Sequence, residues 1–435
     1  MDNFTGESFD NLVSILNESS SILNDLSNAS NTILAFRKQF PPLINWIMSH
    51  LSEITDIALY EKEYDSPSIQ KFCLTILCYK SPAFGTILSS NRQFLLKMNT
   101  FISRVETKTK CGLISFSAIF ESQIKNSNGF VIKSFPEKQQ LLDKLFNHID
   151  NNSIFSLLYF LTESGQCLVY EFLEDCKFTK KILENTKIHP TKMLLLLTNV
   201  VSNIKLDSVI LDEILDIKSL DIIFDLAILN KDVHVSHKAF NLLLELCKVC
   251  SDIDESYEED DFPVFEYIIQ KADDISCFIQ KEPFNLAKHP ACELLVGVIP
   301  AIEELPQCIY DVAKNLFMRM FLHPYHSILH CSCLKLFEAI AEKDDELFLK
   351  IDIREKIVEA FIFEDELNMF KGHLHDFTKL MRKCNSDYEN ECMGWSNYIR
   401  EIFQVKETIR NGPFGGKVPK EAVVLPPGTL PIVDI

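Results

Sequence analysis

Five side chains between positions 323 and 333 are the best suited to chemistry in this chain: His323, His326, His330, Cys331 and Cys333. His326 and His330 are four apart and Cys333 follows three later, so on one continuous helix all three would face the same way. Zinc accepts imidazole nitrogens and thiolate together, and a zinc-activated water is the one enzymatic chemistry this stretch offers. No Glu partner follows, so capping or surface histidines are the expectation, and a metal-dependent enzyme using His326, His330 and Cys333 is the alternative. A second pair, Cys247-x-x-Cys250, has the spacing of a zinc or redox site. Both sulfurs continue an apolar stripe of Phe240, Leu243 and Leu244, which predicts thiols buried in a core. Cys384 and Cys392 are loosely spaced and carry no signal. The patterns G-x-x-x-x-G-K-[ST], G-x-G-x-x-G and G-x-S-x-G are absent, so no catalytic residue and no cofactor is expected.

The elements that would position these residues are helical. Among 435 residues only 12 are Gly and 17 Pro, too few for the turns and bulges of an all-β fold or for phosphate-binding loops, while 47% are hydrophobic and can fill a large core. Amphipathic spacing predicts helices over Phe9–Leu16, Leu43–Leu59, Ile69–Cys78, Leu113–Ile124, Lys138–Ile149, Lys192–Ile204, Leu220–Leu229, Ile309–Leu322 and Ile328–Ala341. Start signals recur at Ser66-Pro67, Ser81-Pro82, His189-Pro190 and His323-Pro324, where Pro fits a first helical turn. Short helices joined by short loops over so long a chain predict an all-α, irregular armadillo/HEAT-like solenoid, with units of about 40 residues and no fixed consensus. One elongated domain is expected over 1–409. The stretch 410–435 holds four of the twelve Gly and five of the seventeen Pro and reads as extended chain, strapped onto the solenoid or presented to a partner. DIDESYEEDD, 252–261, reads as a solvated acidic loop, with docking of a basic loop as the functional alternative.

Charge and apolar runs narrow the partners. Lys and Arg total 43 against 62 Asp and Glu, a net of −19. Such a balance excludes a duplex nucleic acid as the expected partner and favours a basic protein surface. No apolar run approaches the roughly 20 residues of a membrane span; the strongest, Met193–Leu197, stops at Thr198. MDNFTGESFD lacks a secretory pattern, so the fourteen Cys are expected as reduced thiols in the cytoplasm or nucleus.

Four segments carry a resemblance. FLHPYHSILHC, Phe321 to Cys331, resembles a stretch in which a helix end meets Tyr-Pro-Trp-Asn-Asn and then Phe-Leu-His. Pro324 and His330 coincide, Tyr325 stands for the Trp, and His326-Ser327 replace the Asn pair. Met369-Phe370-Lys371-Gly372-His373-Leu374 is similar to Gly-Tyr-Met-Gly-His-Leu. Gly394-Trp395-Ser396-Asn397-Tyr398, followed by Asn411-Gly412-Pro413, resembles a Trp-x-x-Phe-x-x-Gly-Pro close with a longer spacer. The opening FDNLVSILNESSSILNDLSNASNTILAFRKQFPPLINWI has a matching length and pattern. Together, in this order, they resemble the SAPS-domain regulatory subunits of protein phosphatase 6.

The resemblance implies a non-catalytic subunit that binds a phosphatase catalytic subunit of the 2A/4/6 class and directs it to substrates, with an ankyrin-repeat third subunit joining in some assemblies. The Gly-Asp and Gly-Asn-His metal motifs of the phosphatase itself are missing here, as expected of its regulator. Partner contact is expected at His323, Pro324, Tyr325 and His330, then at Gly372 and His373, then at Trp395, Gly412 and Pro413. A generic armadillo/HEAT-type adaptor unrelated to phosphatase is the other interaction-protein reading.

Overall fold

The computed structural model describes residues 9–18, 22–62, 66–104, 110–203, 208–251, 263–344, 346–362, 371–384 and 394–411. Among them every regular element is helical and no strand occurs. The fold is an all-α helical-repeat solenoid of armadillo/HEAT-like type. The helices begin where the chain chemistry permits. Pro67, Pro82 and Pro190 each open one, since the first amides of a helix have no intrahelical acceptor to lose. Ser81 Oγ accepts from the Phe84 amide at 3.3 Å and Asn91 Oδ1 from the Phe94 amide at 3.0 Å, capping two successive helices.

The helix expected over 43–59 is instead two, Pro41–Ser49 and Leu51–Ala58. His50 makes the break. Its amide reaches the carbonyls of Trp46 and Ile47, its ring nitrogen Nδ1 lies 2.9 Å from Trp46 O, and its ring stacks on Trp46. The amide is shared between carbonyls three and four residues back, a tightening typical of a helix end, and the imidazole adds a second contact to Trp46 O.

The chain folds as two compact units, Met1–Val264 and Phe265–Ile435. The boundary falls just after the acidic stretch 252–261. Residues 252–262 themselves lie outside the described residues.

In the first unit, Pro67–Leu77, Lys110–Ser127, Asn152–Glu163, Pro190–Asn203 and Val233–Ser251 form a row, each packed on the next, with starts 38 to 43 residues apart. Polar side chains stitch the row by closing orphan carbonyls at helix ends. Ser122 Oγ donates to Cys78 O at 2.8 Å, Gln123 Nε2 to Leu77 O at 2.6 Å and Asn126 Nδ2 to Tyr79 O at 2.8 Å. Two repeats on, Lys192 Nζ donates to Ile149 O at 2.8 Å, and Asn199 Nδ2 reaches Tyr159 O at 3.2 Å and Thr162 Oγ1 at 2.7 Å in the last turn of the neighbouring helix. Gly85 lets Pro82–Ser90 approach the Lys110–Ser127 helix, because a Cβ there would stand 2.5 Å from Asn126 Cβ. In the last helix of the row Phe240, Leu243, Cys247 and Cys250 are buried as the stripe predicts. Burial pushes the Cys247 and Cys250 thiols up to about 12 and about 11, which suits core packing and not metal ligation.

In the second unit, Lys288–Val298, Ser327–Lys343 and Lys371–Cys384 form the corresponding row, and Ala272–Gln280 packs on Gln307–Leu322. Phe317, Phe337 and Phe377 meet at its centre, Phe377 edge-on to the other two at 5.2 and 5.1 Å. Arg319, buried, donates to the carbonyls of Ile279, Gln280 and Lys281 at the end of Ala272–Gln280. Arg410, expected in extended chain, instead lies in the helix Gln404–Asn411. That helix is anchored by Glu407, whose carboxylate takes His375 Nε2 at 2.6 Å and Lys379 Nζ at 3.0 Å.

Candidate interaction site at the 323–330 turn

The helix Gln307–Leu322 stops at His323, and Ser327–Lys343 begins four residues later. Pro324 does not open the second helix. It occupies the second position of a tight turn, His323 to His326, closed by the His326 amide on His323 O at 3.1 Å. A proline ring presets the backbone angle that this position needs, which is the alternative use of the same residue. His326 then caps the new helix, Nδ1 accepting from the Leu329 amide at 3.2 Å, while its ring stands edge-on to Phe284 at 5.5 Å.

His330 locks the turn from beneath. It is buried, and its Nε2–H donates to His323 O at 3.0 Å. Its ring meets the His373 ring at 5.3 Å. Burial, foremost, and then the neighbouring His373 and His326 hold His330 below the usual histidine range, against the pull of the His323 carbonyl. The neutral ring therefore serves as a donor strut at neutral pH.

On the outside of this strut stand apolar groups in water. Tyr325 is 75% exposed, Leu322 69% and Ile328 46%. Leu286, two residues from Phe284, is exposed as well. Leu322, Ile328 and Leu286 were not singled out by spacing. The signal for Leu322 and Ile328 is the mixture of apolar residues and histidines in FLHPYHSIL, which is apolar where a solvated turn would be polar, whereas Leu286 lies outside that stretch and has no such signal.

The structure thus brings His323, Pro324, Tyr325, His330 and His373 together, with Gly372 and His373 half-buried in the first turn of Lys371–Cys384. Trp395 is placed differently. It is 2% exposed and packs on Tyr398 at 5.3 Å, whose hydroxyl pairs with Thr378 Oγ1 at 3.0 Å. Its indole is a core anchor and offers no contact surface. Gly412 and Pro413 lie outside the described residues.

The metal alternative fails on geometry. His326 lies outside the helix that would have aligned it with His330 and Cys333, because the turn occupies its position. Its Nδ1 and the Nε2 of His330 are both engaged as described, and the Cys333 thiol is fully buried, which raises its pKa well above the usual range. Among the described residues no group of three or more His, Cys, Asp or Glu is placed to hold a metal ion.

No single described helix is long and apolar enough to cross a membrane; one pair, Pro67–Leu77 with Pro82–Ser90, reaches the length but is bent by 95°. No protein-family model matches the chain, and no curated protein matches it. Among solved structures it is similar to an engineered protein at 13% identity and a TM-score of 0.44, over 93% of this chain and 100% of that one.

Proposed function

We propose that this chain is a non-catalytic regulatory and scaffold subunit that binds a protein phosphatase 6-type catalytic subunit and directs it to substrates. The observation that carries the reading is the exposed Tyr325, flanked by Leu322 and Ile328, on a turn that His330 fixes from within. An aromatic ring held in water on a rigid support costs little ordering entropy when a partner covers it, and rings of this kind dominate interface energetics. The resemblance of FLHPYHSILHC to the SAPS-domain stretch supplies the identity of the partner. Catalytic metals and their ligands belong to that partner. This subunit acts by effective concentration, holding enzyme and substrate on one scaffold. A cytoplasmic or nuclear setting and an ankyrin-repeat third subunit go with the same reading.

The test is capture of the tagged, folded chain from a native cell extract, with the wild type beside Tyr325→Ala. Because Tyr325 is mostly in water, its loss should leave stability within about 0.5 kcal/mol. Loss of an interface anchor of about 2 kcal/mol should weaken phosphatase binding about 30-fold. A folded wild type that retains no phosphatase catalytic subunit refutes the proposal and brings the generic adaptor forward. Equal capture by both proteins moves the contact away from this turn.

A further inference from the structure

His326 caps the helix Ser327–Lys343 through Nδ1, which faces the Leu329 amide at 3.2 Å. Helices are capped as a rule by Ser, Thr, Asp or Asn, whose side-chain oxygens accept throughout the range near neutrality. An imidazole differs. An amide can only donate, so the ring nitrogen that faces it must carry a lone pair. A protonated imidazole has none, since both its nitrogens are donors. Uptake of one proton therefore sets N–H against N–H at the cap. It also places a positive charge at the positive end of a helix of 17 residues, which acts in the same direction. The first amides of a helix have no intrahelical acceptor to fall back on.

His326 is half-buried, so protons reach it from water. Its surroundings are rich in other imidazoles. His323 lies on the same turn, His330 stands one helical turn on, and His373 meets His330 at 5.3 Å from Lys371–Cys384. Tyr325 is the remaining titratable group of the turn. The segment 281–287, which sets Phe284 edge-on to the His326 ring, carries Lys281 and Glu282. The Glu282 carboxylate stands 3.7 Å from Arg319 Nε on the Gln307–Leu322 helix. His330 differs from His326 in its chemistry. Its Nε2 faces the His323 carbonyl, so it donates whether neutral or protonated, and burial holds it below the usual histidine range. The proton-sensitive part of the turn is thus the cap and not the strut.

We propose that the turn 323–326 is a proton-operated switch. Neutral His326 closes the helix start and holds Tyr325 in place; protonated His326 releases the first turn of Ser327–Lys343, and Tyr325 with it. Histidine is the side chain whose charge changes between about pH 5 and 8, which sets the window. The exposed Leu322, Tyr325 and Ile328 are preorganised above that window and loosened below it. The inference stands on the geometry of the turn and holds whatever partner covers Tyr325.

The experiment is hydrogen exchange in the full chain, read at single amides by mass spectrometry at about pH 7.5 and 5.5, with labelling times scaled for the intrinsic pH dependence of exchange. The Leu329 amide is the reporter. The Leu316 amide, inside Gln307–Leu322, controls for opening of the whole unit. His326→Asn runs alongside, because an Asn cap accepts through an oxygen that does not titrate in this range. Loss of a cap corresponds to a change of about fivefold. Protection of Leu329 relative to Leu316 should therefore fall about fivefold from the higher to the lower pH in the wild type, and stay within about twofold in His326→Asn. Equal relative protection at both pH values in the wild type, or the same fall in His326→Asn, overturns the switch. If His326→Asn does not fold, the wild-type comparison of Leu329 with Leu316 decides alone.

Discussion

Lys288 is the side chain whose removal should strengthen the protein. It lies 2% exposed near the start of Lys288–Val298, and its ammonium nitrogen has no hydrogen-bond partner among the described residues. The Phe278 ring, 5.9 Å away, is its nearest compensation. Burial, and next the Arg319 guanidinium, push its pKa from 10.5 down to about 8, against Cys292 and Glu282. That displacement corresponds to about 3 kcal/mol of penalty for holding the charged form at neutral pH. Lys288→Met keeps an unbranched stem and removes the charge, at the loss of about 1 kcal/mol of ring–cation attraction. The net expectation is about 2 kcal/mol of added stability at pH 7, or about 4–8 °C in Tm for a unit of this size.

The assay is urea unfolding followed by Trp395 fluorescence in a Trp46→Phe background, which reports the 265–435 unit alone. The pH dependence is a second, independent signature. Above about 8 the folded Lys288 releases its proton while the unfolded lysine keeps its own to about 10.5. The unfolded state then binds more protons, so the wild type gains stability through that window and the advantage of the Met variant shrinks. A Met variant no more stable than the wild type at pH 7, or a gap that stays constant from pH 8 to 10.5, would refute the reasoning.

Two further outcomes follow from buried contacts. Trp395→Ala should cost about 3–5 kcal/mol by opening a cavity beside Tyr398, read as a fall in denaturation midpoint with an unchanged slope; retention of the wild-type midpoint would mean that the indole is not the anchor described. Glu407, held down to about 2 first by His375 and then by Lys379, contributes stability that is complete above its unfolded value near 4.5 and is lost as pH falls toward 2. The stability gap between the wild type and Glu407→Gln should therefore hold steady from pH 7 to about 5 and narrow below it; a gap independent of pH would remove Glu407 from the anchor.

The helical class was legible because amphipathic spacing and helix-opening prolines act locally, and Pro67, Pro82 and Pro190 sit where they predict. Pro324 has the same local signature yet builds a turn, because His326 takes the capping role and closes back on His323. The 40-residue period was invisible as a consensus for a physical reason. The groups that join one repeat to the next perform one task with different chemistry: Gln123 and Asn126, then Lys192 and Asn199, then Arg319. Any donor long enough to reach a helix-end carbonyl serves, so the residue type can differ from one repeat to the next and leaves no consensus. At the turn, the histidines and Tyr325 were visible in the sequence, whereas the pairing of His330 with His373 joins side chains 43 positions apart. Trp395 was conspicuous by rarity, and its burial against Tyr398 shows that rarity reflects core value as readily as contact.

The carbonyl-closing side chains also set how this chain can reach its fold. The helix-end bonds of Gln123, Asn126, Lys192, Asn199 and Arg319 span from 38 to 47 residues of sequence. Loop-closure entropy grows slowly with loop length, so each repeat meets a similar modest barrier, and none of these bonds waits on a distant part of the chain. Folding can start in any neighbouring pair and spread by addition, as a zipper does. Unfolding runs the same way in reverse: a break at Asn199 would first free the end of Asn152–Glu163, and the opening would travel outward from there.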